Sequence, residues 1–444
     1  MTKNIFAVKG DILYNASFKK FKTHKNSYVV VEDGKVVDIF KTLPTRFKSI
    51  KKYDYSGKLI IPGLIDLHLH APQYSFTGLH MDLELLDWLN KYTFPEEAKY
   101  KKMEYAKKAY DIFVNDIKKS ATTRFSIFGT LHKDATIYLA KSLDKIGMKG
   151  YVGKVNMDRN SPKILIETTK NSIKNTIEYV EATKHLKNVK PIITPRFIPT
   201  CTNDLMKELS KISDKYNLPI QSHLSENRSE IKWVRELLPE SKSYGDAYHI
   251  FNMLGSHEKT IMAHCVWLVE ADMKIMEKNK VWIAHSPSSN RNLSSGVAPI
   301  RRYLNRGMRV GLATDVAGGS YLSMFRAIED CITISKIRNV IEDYIIEIGE
   351  GEVFQNTIKE AAPQLTIQEA FYLATRGGGE FFDDENTKVG SFEKGFEFDA
   401  LVLDESHIPT PLMKELSIED RLERFIYRPN DRLLAKFISG KKII

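Results

Sequence analysis

Eight short runs of β-branched and apolar residues recur through the middle of the chain, with longer helical stretches between them. They occupy residues 64–70, 122–128, 151–157, 191–197, 219–224, 260–266, 281–285 and 309–314. The intervening residues 203–217 and 270–280 carry helical periodicity and capping residues. Strands that alternate with helices make parallel βαβ units, because a parallel return needs a crossover long enough for a helix. Eight such strands imply a closed (β/α)8 barrel of the TIM type more than an open sheet. The expected fold class is therefore α/β, with the barrel as its main body.

The two ends have a different texture. Val29-Val30-Val31, the turn Glu32-Asp33-Gly34-Lys35 and then Val36-Val37 mark a hairpin near the start. Val389-Gly390, Lys394-Gly395 and the apolar residues 398–403 repeat that turn-and-strand pattern near the finish. Both termini are expected to share one small β-sandwich domain, formed by residues 1–62 and 376–444, with the barrel at 63–375 inserted between them. A chain of 444 residues is long enough for both bodies. Residues 1–14 lack the apolar core of a signal peptide and are expected to form strand, turn, strand. No apolar run approaches the roughly 18 residues that span a bilayer, so a cytoplasmic protein without a membrane partner is expected.

In such a barrel, catalytic groups gather where the strands finish. The first run ends His68-Leu69-His70, and residues i and i+2 of a strand face the same side, so both imidazoles converge on one point. The fifth run carries Gln221-Ser222-His223, the sixth Ala263-His264 and the eighth Ala313-Thr314-Asp315. A lone H-x-H pairs by chance often. Imidazole or carboxylate at four separate strand ends is far more specific, and is a donor set for an N/O-ligated divalent metal. Zinc, iron and manganese all accept such ligands. A metal with an open position makes hydroxide available near neutral pH, and that chemistry needs a proton acceptor that can later act as donor. Glu226, three residues past His223, is placed to lean over the pocket, and Asp315 can ligate and hold water at once. His264 has two roles open to it, ligand or hydrogen-bond partner of the water.

These residues resemble the amidohydrolase superfamily, and one of its subgroups closely. The run at 62–74, with His68, His70 and Gln73, looks like the opening zinc motif of the guanine deaminases, and the likeness continues through Trp88 to Pro95. It recurs at Pro195-Arg196-Phe197, His223-Leu224-Ser225-Glu226, Ala263-His264-Cys265, Ser286-Pro287-Ser288-Ser289-Asn290 and in residues 311–319. The resemblance implies one zinc, with iron as an alternative, on His68, His70, His223 and Asp315. It implies Glu226 as proton shuttle, His264 and Asp315 steering the attacking water, and His223, Glu226 and Asp315 lining the substrate site. Gln73 and Arg196 would hydrogen-bond the base edge and Phe197 would stack on it, residue types that suit a flat purine with mixed donors and acceptors. The implied reaction is attack of zinc-bound hydroxide on guanine C2, releasing ammonia and leaving xanthine. A homodimer is a further implication of the resemblance.

Several other signals have bland readings. His285, before Ser286-Pro287, is expected to support the barrel mouth and not to ligate; Lys154 is either structural or a carbamylated bridge between two metals, and the resemblance favours the former. Arg376-Gly377-Gly378-Gly379 follows a helical run and is read as a helix C-terminus in preference to a phosphate cradle. Cys201, Cys265 and Cys331 form no C-x-x-C pair and are expected as core filler. The net charge of +10 comes from lysines spread among acids, so a solvated surface is expected and no nucleic-acid partner. Two rivals remain: a related aminohydrolase acting on another nucleobase, a nucleoside or a triazine, and a barrel that has lost catalysis and serves as a scaffold.

Overall fold

Asp33 and Gly34 both take positive φ, 48° and 82°, the type I′ geometry whose twist matches that of paired strands. This turn joins the second and third strands of a sheet built by both termini. The computed structural model describes residues 4–255, 259–347, 361–428 and 431–444; residues 1–3, the head of the expected first strand, lie outside them. The sheet opens with β1 (Ile5–Ser17), β2 (Lys20–Glu32), β3 (Lys35–Phe40) and β4 (Lys51–Pro62). β1 pairs antiparallel with β2 and parallel with β4. The expected strand, turn, strand over residues 1–14 is instead one strand, with a register shift between Gly10 and Ile12. Asp11 there faces two residues of β2, Lys25 and Asn26, so the bulge lies on β2, and the Asp11 carboxylate accepts from the Asn26 amide at 2.8 Å and from Arg421 Nη1 at 2.6 Å.

The middle of the chain alternates strands and helices. Its strands are β5 (Leu64–His70), β6 (Thr122–Phe128), β7 (Lys149–Gly153), β8 (Val155–Asn156), β9 (Val189–Pro191), β10 (Thr194–Pro195), β11 (Ile220–Leu224), β12 (Thr260–His264), β13 (Trp282–His285) and β14 (Arg309–Leu312). β5-β6-β7-β9 and β11-β12-β13-β14 form two four-stranded parallel sheets, and β8 pairs with β10. The expected runs at 151–157 and 191–197 are thus each split in two; Pro191 and Pro195 have no amide to give a ladder. Hydrogen bonding links the two sheets at both edges. Ile193 bridges Ile220 in parallel, and at the other edge the Asp315 amide donates to the His68 carbonyl at 2.9 Å and the His70 amide to Val316 at 2.8 Å. Every residue of β5 and β6 is buried, as expected for strands covered on both faces.

Helix Asn203–Tyr216 starts where the Thr202 hydroxyl accepts from the Leu205 amide and stops at Asn217, whose φ of 53° ends the repeat. Helix Glu270–Lys278 ends two residues short of its expected limit. The glycines after Arg376 do not end a helix: the path runs from Ile367–Tyr372 through a wide turn at Leu373–Gly377 to Glu380–Phe382. They are small because the backbone passes close to other elements. A Cβ on Gly379 would sit 2.5 Å from the Val389 carbonyl oxygen, and one on Gly378 3.2 Å from Ile65.

The chain then returns to the first sheet through β15 (Ala400–Leu403), β16 (Leu433–Ile438) and β17 (Lys441–Lys442), giving the order β17-β16-β15-β4-β1-β2-β3. Among the described residues, the expected sandwich takes the form of one seven-stranded sheet. It has its own core, with Phe6, Val8, Val29, Phe398 and Phe437 buried together. Arg124 of β6 ties it to the parallel strands, donating to Asp399 at 2.6 Å and to Glu397 and Ser439. Cys201, Cys265 and Cys331 are buried and unbridged.

Candidate active site

Asp66, His68 and His70 occupy alternate positions of β5 and so share one face. The Asp66 carboxylate accepts from the Thr314 amide at 3.0 Å and its hydroxyl at 2.5 Å, which fixes the segment that carries Asp315. Asp315 Oδ1 then lies 3.0 Å from His68 Nε2 and 3.5 Å from His70 Nε2. His223, near the end of β11, places its Nε2 3.2 Å from His70 Nε2. Its Nδ1 is 2.6 Å from the Arg196 carbonyl, so Nδ1 carries the proton and Nε2 keeps a free lone pair. His264, at the end of β12, has Nδ1 2.8 Å from Asn290 Oδ1, which leaves Nε2 facing Glu226 Oε2 at 3.3 Å and Asp315 Oδ2 at 3.7 Å. All of these side chains are buried.

Strain collects at the same strand ends. Ser225, His264, Cys265 and Asp315 have φ of 51°, 69°, 51° and 46°, in the left-handed region that side chains avoid. Each such residue costs on the order of 1–3 kcal/mol and persists where the surroundings over-determine it. Asp66 and Asn290 supply part of that determination.

The donor set fits a divalent cation. His68, His70 and Asp315 offer atoms within 4.8 Å of one another, as do His68, His223 and His264. His68 Nε2 is buried and, although 3.0 Å from Asp315 Oδ1, is not aligned for a hydrogen bond, where such an atom ordinarily finds one. Two imidazole nitrogens 3.2 Å apart repel unless a cation or proton lies between them. The separations of 3.0–3.5 Å among these donors match the edge of about 3.3 Å in a tetrahedron with metal–nitrogen bonds of about 2.0–2.1 Å. Burial, together with the neighbouring imidazoles, holds His70 and His223 well below the ordinary imidazole range, so both are neutral ligands-in-waiting. Burial would raise Asp315, but His68 and His264 outweigh it and hold the carboxyl at about 2.

Glu226 sits beside this group. Burial pushes its carboxyl up to about 7; Asp315 and Glu230 add to that, while His264 and the Ser295 hydroxyl, donating to Oε1 at 3.1 Å, oppose it. A carboxyl so poised can take a proton and give it back near neutral pH. The loop that carries it is held by Glu230, whose carboxylate accepts from the Glu226 and Asn227 amides at 3.0 and 3.2 Å and from the Tyr244 hydroxyl at 2.5 Å.

A cleft of about 410 Å³ opens over these groups. Gln73, Arg196 and Phe197 are on its wall with His70, His223, Glu226, His264 and Asp315, while Leu85, Trp88, Leu89 and Leu293 make the rest largely apolar. Every residue expected at the site from the sequence therefore borders this cleft, except His68, which reaches the donor group from beneath. His285, at the end of β13, does not border this cleft. It borders a separate cavity with Ile300, Arg301 and Cys331, because the last residue of β13 points outward to the helices. Lys154 is fully buried and its ammonium donates to Glu167 at 2.5 Å and to the Val155 carbonyl at 3.0 Å, the setting of a structural lysine.

Sequence reasoning missed Glu97, Glu230 and a role for Asn290. Asn227 and Glu230 have the spacing of a capping box, which the sequence displays. That Glu230 also grips the Glu226 amide is a matter of the fold. Glu97 gives no local sign; its partners, Gln73 and Arg196, lie 24 and 99 residues away.

Residues 59–442 match the amidohydrolase family. The chain is 36% identical to a guanine deaminase of Dictyostelium discoideum over 463 residues, covering 99% of this chain and 98% of that one. It is 37% identical to the guanine deaminase of Mus musculus, over 90% of this chain and 85% of that one. A crystal structure of guanine deaminase from C. acetobutylicum with guanine in its active site superposes with a TM-score of 0.91 at 43% identity, covering 99% of this chain and 100% of that one. By family match and by full-length similarity alike, this chain belongs to the amidohydrolase family, in the branch that holds the guanine deaminases.

Proposed function

We propose that the chain hydrolyses the amino group of guanine, giving xanthine and ammonia, with one divalent metal, zinc before iron, on His68, His70, His223 and Asp315. The observation that carries this reading is a single cleft bordered at once by imidazole and carboxylate donors, a carboxyl poised near 7, and a guanidinium, an amide and an aromatic ring. When bound, the ion supplies Lewis acidity and a water acidic enough to be a nucleophile near neutrality. The chain's own residues do the rest. Glu226 takes a proton from the attacking water and returns it to the leaving nitrogen as the C2–N bond breaks. His264 spends its Nδ1 proton on Asn290; burial would lower its proton affinity, but Glu226 and Asp315 outweigh it, and the doubly protonated ring donates from Nε2 towards the reacting oxygen, with Asp315 accepting beside it. Arg196 and Gln73 hold the base by its polar edge and Phe197 covers a face, while Trp88 and the leucines keep bulk water out.

The same reading takes the two parallel sheets as one closed (β/α)8 barrel, with domain limits at 63 and 376. It takes the protein as a cytoplasmic homodimer that acts on a small purine without nucleic acid or membrane. The edge hydrogen bonds support the closed barrel, and among the described residues no helix is long and apolar enough to cross a membrane. Xanthine and ammonia formation from guanine, measured with metal content on the same sample, tests the function. Product with about one zinc per chain is expected. Equal or faster turnover of adenine would end the guanine reading, and protein that takes up no metal on dialysis against zinc would favour a scaffold.

A further inference from the structure

We propose that Glu97 is the positioning residue of the base pocket, locking Gln73 and Arg196 into one unit of fixed hydrogen-bond polarity that favours a purine with acceptors on that edge. The inference rests on the purine reading above. Glu97 lies in the short helix Phe94–Ala98, is 1% exposed, and does not border the cleft, so it acts only through its partners. Its Oε1 accepts from Gln73 Nε2 at 2.9 Å and its Oε2 accepts from Arg196 Nη1 at 2.7 Å.

An ionised carboxylate only accepts, whereas the amide of Gln73 could face either way. Glu97 therefore draws the Gln73 NH2 to itself. The Gln73 carbonyl is turned the other way, where it accepts from the Ala317 amide at 3.3 Å. Arg196 is held a second time by Phe94, whose ring centre lies 5.1 Å from the guanidinium carbon. Both charges of the Glu97–Arg196 pair are buried, and separating them would leave each uncompensated, so the pair has one arrangement.

With Nη1 committed, Arg196 meets a ligand only with further donors. That suits an edge with neighbouring acceptors, such as O6 and N7 of guanine, and opposes the amino donor that adenine carries in place of O6. An unpaired Arg196 could swing away from that amino group towards the ring-nitrogen acceptors of adenine. Glu97 thus contributes to discrimination without touching the base.

The test is steady-state kinetics of E97Q and R196A, singly and together, with metal content measured on each. A neutral amide presents its own donor to one partner. E97Q is therefore expected to raise KM for guanine about 10- to 100-fold, the worth of a charged hydrogen bond, with kcat changed far less and metal retained. Preference for guanine over adenine should narrow. The double variant should lose clearly less than the product of the two single losses, because Glu97 works in part through Arg196 and in part through Gln73. A KM within twofold of the parent, or losses that multiply in the double variant, would overturn the proposal. Should E97Q fail to fold, E97D carries the same test: it keeps the charge, falls one methylene short, and must also raise KM. A crystal structure of the variant reads the proposal apart from turnover. Gln73 and Arg196 retaining their native rotamers would refute it even if guanine were not the substrate, whereas a parent enzyme that makes no xanthine refutes only the proposed function.

Discussion

Replacing Arg124 by methionine removes the guanidinium of β6 and leaves two carboxylates of the terminal sheet facing a buried wall. Arg124 Nε donates to Asp399 Oδ2 at 2.6 Å and its Nη2 to Asp399 Oδ1 at 3.3 Å, with further bonds to Glu397 and Ser439. The side chains of Arg124 and Asp399 are only 6% and 1% exposed. Methionine fills similar space but pairs with neither acid. Burial alone would raise the Glu397 carboxyl; Arg124, Ser439 and Lys149 outweigh it and hold it at about 2, against an ordinary 4.5. Each tenfold in proton affinity is worth about 1.4 kcal/mol, so the charged form of Glu397 gains about 3 kcal/mol from its setting. Breaking a buried pair costs about 3–5 kcal/mol, and R124M is expected to lose that much at pH 7 in equilibrium urea unfolding. The pH dependence has a definite sign. A carboxyl depressed in the folded state stabilises fully above about 4.5 and loses that contribution as pH falls towards 2. The gap between parent and R124M should therefore close over that window. A loss below about 1 kcal/mol, or a gap that does not change with pH, would refute the clamp. Turnover at neutral pH should be unaffected, since Arg124 does not border the cleft.

Other outcomes test the site itself. E226Q should keep its metal and bind guanine but lose turnover by about 10²-fold or more; a near-normal rate would remove Glu226 from the chemistry. H68A should lose metal, read by elemental analysis, and full metal content would sink the ligand assignment. R196A should keep metal while guanine binding weakens about 10- to 100-fold, the range of a lost charged hydrogen bond; unchanged affinity in calorimetry would count against Arg196 as a base contact. Dialysis against a chelator should abolish xanthine formation and lower the melting temperature, because metal binds only the folded chain. Activity that survives complete metal removal would overturn the metal reading.

Much of this architecture is written locally. Period-two faces on β5 place His68 and His70 together, the Asp33-Gly34 pair dictates its hairpin, and Thr202 and Asn217 bracket their helix with chemistry readable from neighbours. The misreadings arise where a distant group outweighs the local signal. Asp11 stays within β1, opposite a bulge of β2, with its carboxylate held by Asn26 and Arg421, and the glycines after Arg376 serve close approach to Ile65 and Val389, not helix termination. His285 has the residue type of a ligand but is not expected to ligate, and the side of β13 on which it falls turns it towards Cys331.

Taken alone, the order of residues determined which donor types stand at the strand ends and how they alternate, since covalent spacing and the pleat are local properties. Only the tertiary structure decided which nitrogen of each imidazole is free, because Asn290 and the Arg196 carbonyl approach from other segments. It alone set Glu226 near 7, since burial acts through everything packed around a group. The bond from Glu97 to Arg196 spans 99 residues, and a contact of that separation exists only once the chain has closed on itself.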